Sequence, residues 1–472
     1  MANYEQTKYG DDMNYLDLIL NEYKDVNDLI IKRIKNIYIV YIETLISQDK
    51  INDYILKQIV KCKRIKKVRE LIASPNLKDV LDIDDFENYL NSGFTIIINK
   101  DEVIAVETKG ELIRSIDKPL TESALFGPKD SLTESIQTNI GLIKRRIRSK
   151  DLKSIEYVVG KYTKSIINIL YIDSIAKSHE LDYLKERLKN IDIDGFNDLG
   201  ELKPFLVNDN RNIFPGIKIT ERPDLISKSL LAGKIVIVMD NSPYALILPS
   251  FLSDFINPIS DDYIKGINVN FIKILRFFCL FFSIVFPAFY IAITTYNQEL
   301  VPTNLLVSFQ NQRAEVPFPA ALECLITLIT CEILRESDLR FPSSYGSAIS
   351  ILGALVLGSA AVDAGIVSPI MIIVVAITFI SSLIFTDLDI THAIRYWRFL
   401  FIVVVSLFGV YGLLIAFIFL IANICNYEIL GKPYFFPIAP FDLTYIKETI
   451  FKMKNNKRSK LLSNNTYKGD TP

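Results

Sequence analysis

Hydrophobic and polar positions follow two different patterns along the chain, and the pattern changes near residue 270. Up to about residue 265, short apolar runs of strand length alternate with amphipathic stretches of helical period. Beyond residue 270, apolar runs long enough to cross a bilayer dominate. The sequence therefore predicts an N-terminal α/β or α+β region followed by an all-α polytopic membrane domain.

The N-terminal region is predicted to contain two subdomains, residues 1–150 and residues 151–265. In the first subdomain, residues 1 to about 90 carry charged and apolar residues at helical period, which predicts amphipathic helices. Phe94–Glu107 then contains two β-rich runs around a polar turn, which predicts a hairpin. This subdomain is therefore expected to combine helices with paired strands.

The second subdomain alternates short strands and helices. Ser165–Ile172 is predicted to be a strand, residues 178–191 a helix, and Ile235–Ser250 a hairpin. The ERPD segment Glu221–Asp224 could suggest an active site, but the sequence places no general base, metal-ligand set or phosphate-binding loop near it. We therefore predict a structural turn that contains an ion pair.

Two basic clusters are candidates for contacts with lipid or with a partner protein. Ser131 and Glu134 form an S-x-x-E pair, which predicts a capping box and the start of a helix. That helix ends in a basic cluster that includes Arg145 and Arg146. The cluster is either a solvated helix end that complements the helix dipole, or a contact with acidic lipid headgroups or a partner. The second cluster lies in the predicted cytoplasmic tail, residues 431–472, and its candidates are Lys454, Lys457 and Arg458.

The predicted membrane domain, residues 266–430, contains apolar runs of span length and one acidic apolar segment. The four predicted spans are Phe271–Tyr296, Gly346–Gly365, Val367–Phe385 and Phe399–Asn423. Val316–Pro342 is also apolar, but Glu323 and Glu332 would project from opposite sides of a helix. Because carboxylates on two sides cannot both face lipid cheaply, this segment is predicted to be an interfacial or re-entrant helix packed inside an assembly. The candidate residues for coupling and assembly are Glu323, Glu332, Pro319 and Asp363.

The run Gly346–Gly365 is uncharged until Asp363 and is poor in large side chains. On a helix, one narrow face would carry Ser347, Ser350, Ala354, Gly358 and Ala361. Such a face either lets a neighbouring helix approach closely, as small-xxx-small pairs do, or lines a narrow pore. The run alone leaves both uses open, and helix packing is the more common one.

Charge, cysteine and histidine content narrow the function classes. The chain has 53 Lys and Arg against 54 Asp and Glu, so its overall charge does not point to nucleic acid as a partner. Its five cysteines form no C-x-x-C pair and it has two histidines, which argues against a disulfide framework, a zinc site and a His-based catalytic centre. The sequence contains no Walker, dinucleotide-binding or G-x-S-x-G motif. We therefore expect no enzymatic activity and no cofactor.

Both ends of the chain are predicted to lie on the cytoplasmic side. The N-terminal segment is polar and acidic and lacks the apolar core of a secretory signal. Four spans would return the chain to the side on which it began. The basic tail, together with Lys273 and Arg276 at the first span, makes that side cytoplasmic.

Several long strings resemble one family, the A subunits of GerA-type spore germination receptors. In the N-terminal region the strings are GPKDSLTESIQTNIGLIKRRI (127–147), ERPD (221–224) and AGKIVIVMDNSPYALILPS (232–250). In the membrane part they are PAFYIAITTYNQELVPTNLL (287–306), VPFPAALECLITLITCEILRESDLRFP (316–342), GSAISILGALVLGSAAVDAGIVSPIMIIVVAIT (346–378) and PYFFPIAPFDL (433–443). The resemblance runs from about Phe94 to the tail.

The resemblance implies a multi-pass subunit of a nutrient germinant receptor in the inner membrane of the spore. Members of this family act with a transporter-like B subunit and a lipoprotein C subunit, and the A subunit is thought to form a ring around an ion-conducting pore. Because a homo-oligomeric ring needs one helix of each subunit at its axis, the resemblance favours pore lining by the small-residue face.

The leading hypothesis is therefore a nutrient-gated ion channel subunit that triggers germination. The alternative is a non-conducting scaffold that holds the B and C subunits and passes the signal on. A secondary transporter is a weaker hypothesis, because the sequence shows no paired inverted halves with broken helices.

Overall fold

The computed structural model describes residues 23–443, apart from residues 24, 36, 62–67, 70, 73, 75, 100–101, 111–118, 120–121, 123–125, 208–211, 265 and 341–355. The described residues fall into two compact units. One lies within residues 1–208 and 217–249, and the other within residues 209–216 and 250–454.

The first unit contains an antiparallel sheet of five strands. Their spatial order is β1 (Leu29–Ile34), β2 (Ile37–Ile42), β4 (Phe94–Asn99), β5 (Glu102–Glu107) and β3 (Leu77–Asp79). The helical segments that belong with it are Gln48–Ile51, Asn52–Leu56, Lys57–Lys61 and α1 (Ile83–Leu90). Successive side chains of a strand point to opposite faces. Ile96 packs with Phe86 on one face and Ile97 packs with Ile55 on the other, so both faces of the sheet are buried.

A second five-stranded antiparallel sheet follows in the same unit. Its spatial order is β6 (Leu152–Val159), β7 (Ser165–Ile172), β9 (Ile235–Met239), β10 (Ala245–Leu248) and β8 (Lys218–Thr220). The longer helices around it are α2 (Ile136–Arg146), α3 (Ser178–Lys189) and α4 (Pro223–Leu231), and the short helical segments are Leu199–Leu202 and Lys203–Leu206. One face of the sheet packs against α2 and α4, where Val236 and Leu170 meet Ile140 and Ile226.

Most of the predicted elements of this unit are confirmed. The predicted strand is β7, the predicted helix is α3, and the two predicted hairpins are β4–β5 and β9–β10. The sequence analysis did not identify β6, which pairs with β7 along its whole length. The unit is therefore a mixed α and β structure with two antiparallel sheets.

The prediction of amphipathic helices up to residue 90 is wrong for residues 29–34 and 37–42, which form β1 and β2. These strands have the sequences LIIKRI and IYIVYI, and their β-branched and aromatic side chains favour an extended backbone. The prediction holds at residues 48–61 and 83–90, which are helical. Local residue preference therefore outweighed the periodicity of the surrounding sequence.

The capping box predicted at Ser131 and Glu134 is also wrong. Helix α2 starts further along the chain, and its N-cap is Ser135, whose hydroxyl accepts a hydrogen bond from the N–H of Thr138 at 3.4 Å. The hydroxyl of Ser131 instead donates to the backbone carbonyl of Glu221 at 3.2 Å. A tertiary hydrogen bond thus uses the first serine, and the second one caps the helix.

The ERPD segment contains the predicted ion pair but not the predicted turn, because Pro223 and Asp224 begin helix α4 and Glu221 and Arg222 connect that helix to β8. The guanidinium of Arg222 donates to both carboxylate oxygens of Asp224, at 3.0 and 2.7 Å, and both side chains are buried. The same guanidinium donates to the backbone carbonyls of Glu122 and Pro128 at 3.1 and 3.2 Å. One buried arginine therefore ties three segments of the unit together.

The second unit is mainly helical. Its longer helices are α5 (Gly266–Ile291), α6 (Thr303–Arg313), α7 (Ala320–Arg340), α8 (Pro369–Ser382) and α9 (Leu388–Asn426). Its shorter elements are the helical segments Leu252–Ile256, Ile259–Tyr263, Ala292–Tyr296, Gln298–Leu300, Val356–Ala360 and Ala361–Asp363 and the strands β11 (Glu428–Ile429) and β12 (Lys432–Pro433). One core of buried residues draws on α5, α7, α8 and α9, with Trp397 and Phe401 at its centre.

Two helical stretches of the described residues are long and apolar enough to cross a membrane, Gly266–Tyr296 and Leu388–Asn426. They contain the first and the last predicted spans. The predicted span Val367–Phe385 is a helix of 14 residues, about 21 Å long at 1.5 Å per residue, which is shorter than the hydrocarbon core of a bilayer. The first half of the predicted span Gly346–Gly365, residues 346–355, lies outside the described residues.

Helix α9 starts eleven residues before the predicted span and is interrupted at Gly409, where φ is +60° and ψ is −139°. Only glycine adopts this backbone conformation without strain. The ring of Tyr296 lies against Gly409, where a Cβ would come within 2.8 Å of the ring. The Tyr296 hydroxyl donates a hydrogen bond to the backbone carbonyl of Ser406 at 2.5 Å. This side chain therefore gives a backbone carbonyl near the break a hydrogen-bond partner.

Candidate functional site: two carboxylates of helix α7

Glu323 is a fully buried carboxylate on the first turn of α7. Its Oε1 accepts two hydrogen bonds from Ser368, one from the backbone N–H at 2.6 Å and one from the hydroxyl at 2.5 Å. Ser368 is the N-cap residue of α8, and Pro369 is the first residue of that helix. A carboxylate at this position satisfies an N–H group that has no partner inside the helix and interacts favourably with the helix dipole.

The second oxygen of Glu323 faces α6. Oε2 lies 3.7 Å from Nε of Arg313, the last residue of α6, and has no directed hydrogen bond among the described residues. The backbone carbonyl of Glu323 accepts from the hydroxyl of Thr327 at 2.8 Å. The position of one side chain thus depends on α6, α7 and α8 together.

Glu332 lies nine residues further along α7 and faces another set of partners. Its carboxylate oxygens lie 2.9 Å from Nε of Arg395, 3.4 Å from Nη1 of Arg398 and 3.6 Å from Nη1 of Arg335. Arg395 and Arg398 belong to α9, and Arg398 also donates from Nε to the backbone carbonyl of Ser283 on α5 at 2.8 Å. Glu332 therefore connects α7 with α9 and, through Arg398, with α5.

The two carboxylates can act as clamps between helices. Each carries a charge that is costly to bury alone, so each strongly favours the helix arrangement that supplies its partners. A change that moved α8 against α7 would break the bonds of Glu323, and a change that moved α9 would break those of Glu332. The pair is thus suited to coupling the positions of five helices, α5 to α9.

The other two candidates for coupling and assembly lie at the surface. Pro319 is exposed and immediately precedes α7, where its carbonyl accepts from the N–H of Glu323 at 3.0 Å. Asp363 is exposed at the end of the short helical turn Ala361–Asp363. Their roles in coupling stay predictions.

Three of the predicted pore-lining residues, Ser347, Ser350 and Ala354, lie outside the described residues. Gly358 is exposed, and Ala361 is half-buried against the core of the unit. Residues 356–363, the described part of this stretch, form two short helical segments. The two predicted pore-lining residues within them differ in exposure.

Arg145 and Arg146, predicted to contact lipid or a partner, have partners inside the first unit. Arg145 donates to the backbone carbonyl of Gly110 at 2.6 Å, and Arg146 forms an ion pair with Asp130 at 2.5 Å. Burial lowers the pKa of Arg145. The cluster thus holds its own unit together. The sequence analysis had considered only a solvated helix end or a contact with lipid or a partner. The other basic candidates, Lys454, Lys457 and Arg458, lie outside the described residues.

The sequence analysis missed the residues that complete the two carboxylate sites. Arg335 lies inside the segment Val316–Pro342, and Arg395 and Arg398 lie between the last two predicted spans, so the sequence analysis gave none of them a role, and it treated Ser368 as part of a span. One signal was available: Arg395 and Arg398 are three residues apart and so share a helix face. Two arginines on one helix face beside an apolar run need a negatively charged partner, because an unpaired charge there is costly, and one carboxylate can serve both.

Comparisons with known proteins cover almost the whole chain. The family model described as Bacillus/Clostridium GerA spore germination protein matches residues 16–461. Spore germination protein KA of Bacillus subtilis (strain 168) is 35% identical over 443 residues, which cover 90% of this chain and 81% of that protein. Spore germination protein A1 of the same organism is 30% identical over 477 residues, which cover 98% of each chain. A crystal structure of the N-terminal domain of the A subunit of the Bacillus megaterium spore germinant receptor GerK3 is 27% identical, with a TM-score of 0.38, and the match covers 51% of this chain and 94% of that one.

Proposed function

We propose a function that starts from the family of this chain: it belongs to the Bacillus/Clostridium GerA spore germination proteins, whose family model matches residues 16–461. A role in spore germination follows from that membership. Beyond it, we propose that the chain is the A subunit of a nutrient germinant receptor in the spore inner membrane. In this proposal it assembles with a transporter-like B subunit and a lipoprotein C subunit, and it conducts ions as a homo-oligomer.

The membrane location is supported by the two apolar helical stretches of span length. We propose that the N-terminal region and the basic tail both lie in the cytoplasm, because Lys and Arg near span ends mark the cytoplasmic side. Cysteine labelling from outside sealed membranes tests this arrangement: new cysteines in the N-terminal region and in the tail should both be protected.

The observation that carries the channel proposal is the environment of Gly358. This residue is exposed, and a Cβ placed on it would meet no atom of the described residues within 4 Å. Ala360 is exposed beside it. A small residue that serves to pack a helix of its own chain would be covered by that helix. The open space at Gly358 suits a face turned to water or to other copies of the chain around an axis.

Substitutions at Gly358 test this proposal in spores. Gly358→Leu places a bulky apolar side chain in the conduit and should block nutrient-triggered ion release. Gly358→Asn favours a wetted conduit and should cause ion release and germination without nutrient. The control is Leu352→Ala: on the predicted helix this residue lies opposite the small-residue face, so the substitution should act through packing and lower the subunit level without any leak.

Receptor level, measured by immunoblot in the same spores, separates the channel from helix packing. If both Gly358 variants lower the protein level and neither leaks, the face packs helices and the channel assignment is wrong. Recording currents from the purified subunit in planar bilayers separates the channel from the scaffold. Normal assembly with B and C subunits in the absence of current would favour the scaffold.

A further inference from the structure

Three arginines surround one glutamate in the second unit, and the cluster carries excess positive charge. Arg335, Arg395 and Arg398 face the carboxylate of Glu332, which leaves two guanidinium charges without a carboxylate partner in the cluster. The side chain of Arg398 is 0% exposed, and those of Glu332 and Arg335 are 11% and 12% exposed. This charge lies among apolar helices, where an uncompensated buried charge is strongly destabilising.

Among the described residues, the next carboxylate along α7 does not supply the missing negative charge. Glu336, one turn further along α7, forms its ion pair with Arg340 at 2.7 Å, and both side chains are exposed. That pair is neutral as a whole. The excess of positive charge in the cluster of Arg335, Arg395 and Arg398 therefore remains.

The same cluster contains buried hydrogen-bond donors that are not used. Nη2 of Arg398, Nη1 of Arg335 and Nε of Arg395 have no directed hydrogen bond to any of the described residues. Arg395 is only 2.9 Å from Glu332, but its N–H does not point at the carboxylate. Oε2 of Glu332, which faces Arg395 and Arg335, also has no directed hydrogen bond among the described residues. The fully buried donor of the three is Nη2 of Arg398. Buried polar groups in folded proteins nearly always have a partner, so this donor and the excess positive charge together indicate an anionic acceptor.

We propose that the arginines around Glu332 bind a phosphate-class anion. Guanidinium groups present planar forks of N–H donors that match the oxygens of a phosphate, and charge-assisted hydrogen bonds of this kind are the strong ones. Nη2 of Arg398 is the buried donor, and Arg335 and Arg395 are the half-open side of the site. A phosphate monoester or diester brings the negative charge that Glu332 alone does not supply.

This anion has two sources, a phospholipid headgroup or free inorganic phosphate. The headgroup is the better supported source because apolar side chains are exposed on α7, which carries Glu332 and Arg335, and on α8, whose Phe379 ring lies beside Arg335. Ile329 and Ile333 on α7 are 49% and 60% exposed, and Ile380 on α8 is 63% exposed. A lipid bound through its phosphate can lay an acyl chain on such a surface.

The test uses the full-length chain, purified in detergent and stripped of lipid. Native mass spectrometry measures the lipid retained after incubation with phosphatidylglycerol or with phosphatidylcholine. Binding of free phosphate is measured by comparing the thermal unfolding midpoint in sodium phosphate with that in sodium chloride of equal ionic strength. A preference for phosphatidylglycerol identifies a headgroup, and a phosphate-specific rise in midpoint without lipid retention identifies free phosphate.

Substitutions locate the binding. Arg395→Gln should weaken binding of the preferred probe roughly tenfold or more, which is the value of one hydrogen bond to a charged group, and Arg335→Gln should weaken it in the same direction. The matched control Arg340→Gln removes a charge from the same helix outside the cluster and should leave binding unchanged. Glu332→Gln increases the excess positive charge and should tighten binding.

The last substitution distinguishes a ligand site from a helix clamp. Because Glu332 also holds helices together, its substitution lowers stability in either case, and the effect on binding decides: a ligand site gives tighter binding by Glu332→Gln, whereas a cluster that only holds helices together gives no effect of any variant on binding. Absence of both lipid retention and a phosphate-specific shift in the wild-type chain overturns the proposal. If Arg395→Gln instead abolishes co-purification of a partner subunit while no phosphate probe binds, the occupant is a carboxylate of that partner and the proposal is wrong. None of these outcomes depends on whether the chain conducts ions.

Discussion

Replacing Glu323 with alanine should release α8 from α7 at the point where their ends meet. The carboxylate of Glu323 accepts the N–H and the hydroxyl of Ser368, at 2.6 and 2.5 Å, inside a site where both residues are 0% exposed. Alanine removes both acceptor bonds and leaves the Ser368 N–H buried at the start of α8 without a partner. It also removes the negative charge that faces Arg313 and the dipole of α8.

The size of the effect follows from these contacts. Hydrogen bonds to a charged group contribute about 1.5–3 kcal/mol each, and breaking a buried charged contact costs about 3–5 kcal/mol in total. Removing the buried charge of Glu323 also relieves its desolvation, so we expect a loss near the lower end, about 3 kcal/mol. The contact with Arg313 adds little, because its 3.7 Å separation includes no directed hydrogen bond. Glu323→Gln keeps an acceptor oxygen and should cost roughly half as much, as neutral hydrogen bonds do.

The assay is thermal unfolding of the full-length chain in detergent, together with receptor level and germination rate in spores. A loss of about 3 kcal/mol should lower the midpoint by on the order of 10 °C, and germination should slow as the level of receptor falls. The control is Glu336→Ala, which removes an exposed carboxylate paired with exposed Arg340 and should have no measurable effect.

A double-mutant cycle with Ser368→Ala assigns the effect to this contact. The two single substitutions remove parts of the same interaction, so the double variant should lose less stability than the sum of the two. Strict additivity would show that Glu323 and Ser368 do not interact in the folded chain. An effect of Glu323→Ala as small as that of Glu336→Ala would mean that the carboxylate is solvated, and the clamp would be refuted.

Three further predictions concern other parts of the chain. Gly409→Ala should lower the thermal midpoint of the full-length chain more than Gly431→Ala, because both have positive φ but only the first would also place its Cβ against a side chain; equal losses would refute the close contact. Arg222→Lys should destabilise the N-terminal region by about 2–3 kcal/mol in urea, since lysine cannot form the two-pronged bond to Asp224, and an unchanged urea midpoint would contradict this. Burial raises the pKa of Glu122, so the folded state binds its proton more tightly than the unfolded state does. Glu122→Gln should therefore stabilise the N-terminal region at pH 7, and the gain should vanish as the pH falls below about 4, the ordinary range of this carboxyl; a gain independent of pH would contradict it.

The sequence was informative wherever the deciding forces are local. The hairpins β4–β5 and β9–β10 and the strand β7 were predictable because short apolar runs lie between turn residues. The N-cap of α2 was not, because Ser131 is used by a carbonyl ninety residues away and the cap passes to Ser135. The same motif fits either serine, and a tertiary contact chooses between them.

The candidate site shows the same division. The two-sided acidity of α7 indicated that Glu323 and Glu332 face protein, and both have protein partners. The identity of those partners was beyond sequence reasoning, since Ser368 lies 45 residues from Glu323 and Arg398 lies 66 residues from Glu332. Charge pattern can therefore indicate that a buried carboxylate needs a partner, but chain folding decides which residue supplies it.

The start of α9 shows how a rule for membrane spans fails for a physical reason. Counting apolar residues places the start of the span at Phe399, because a charge in lipid is costly and Arg395 and Arg398 precede it. Both arginines instead lie within the helix, and Arg398 is fully buried with Glu332 as a partner. The helix has 39 residues, roughly 58 Å at 1.5 Å per residue, about twice the thickness of the hydrocarbon core.

A straight helix of that length does not fit one crossing, and the break at Gly409 divides it. The part before the break, Leu388–Phe408, is roughly 30 Å long and is by itself sufficient to cross the hydrocarbon core. Arg395 and Arg398 are the eighth and eleventh of these 21 residues, so they lie about 10 and 15 Å from the start of the helix and not in a connecting loop. A charge at that depth is costly unless it has partners, and Arg398 is fully buried against Glu332 and the backbone carbonyl of Ser283. Arg395 lies nearer the start of the helix, and its long side chain is the one that can extend toward a headgroup phosphate.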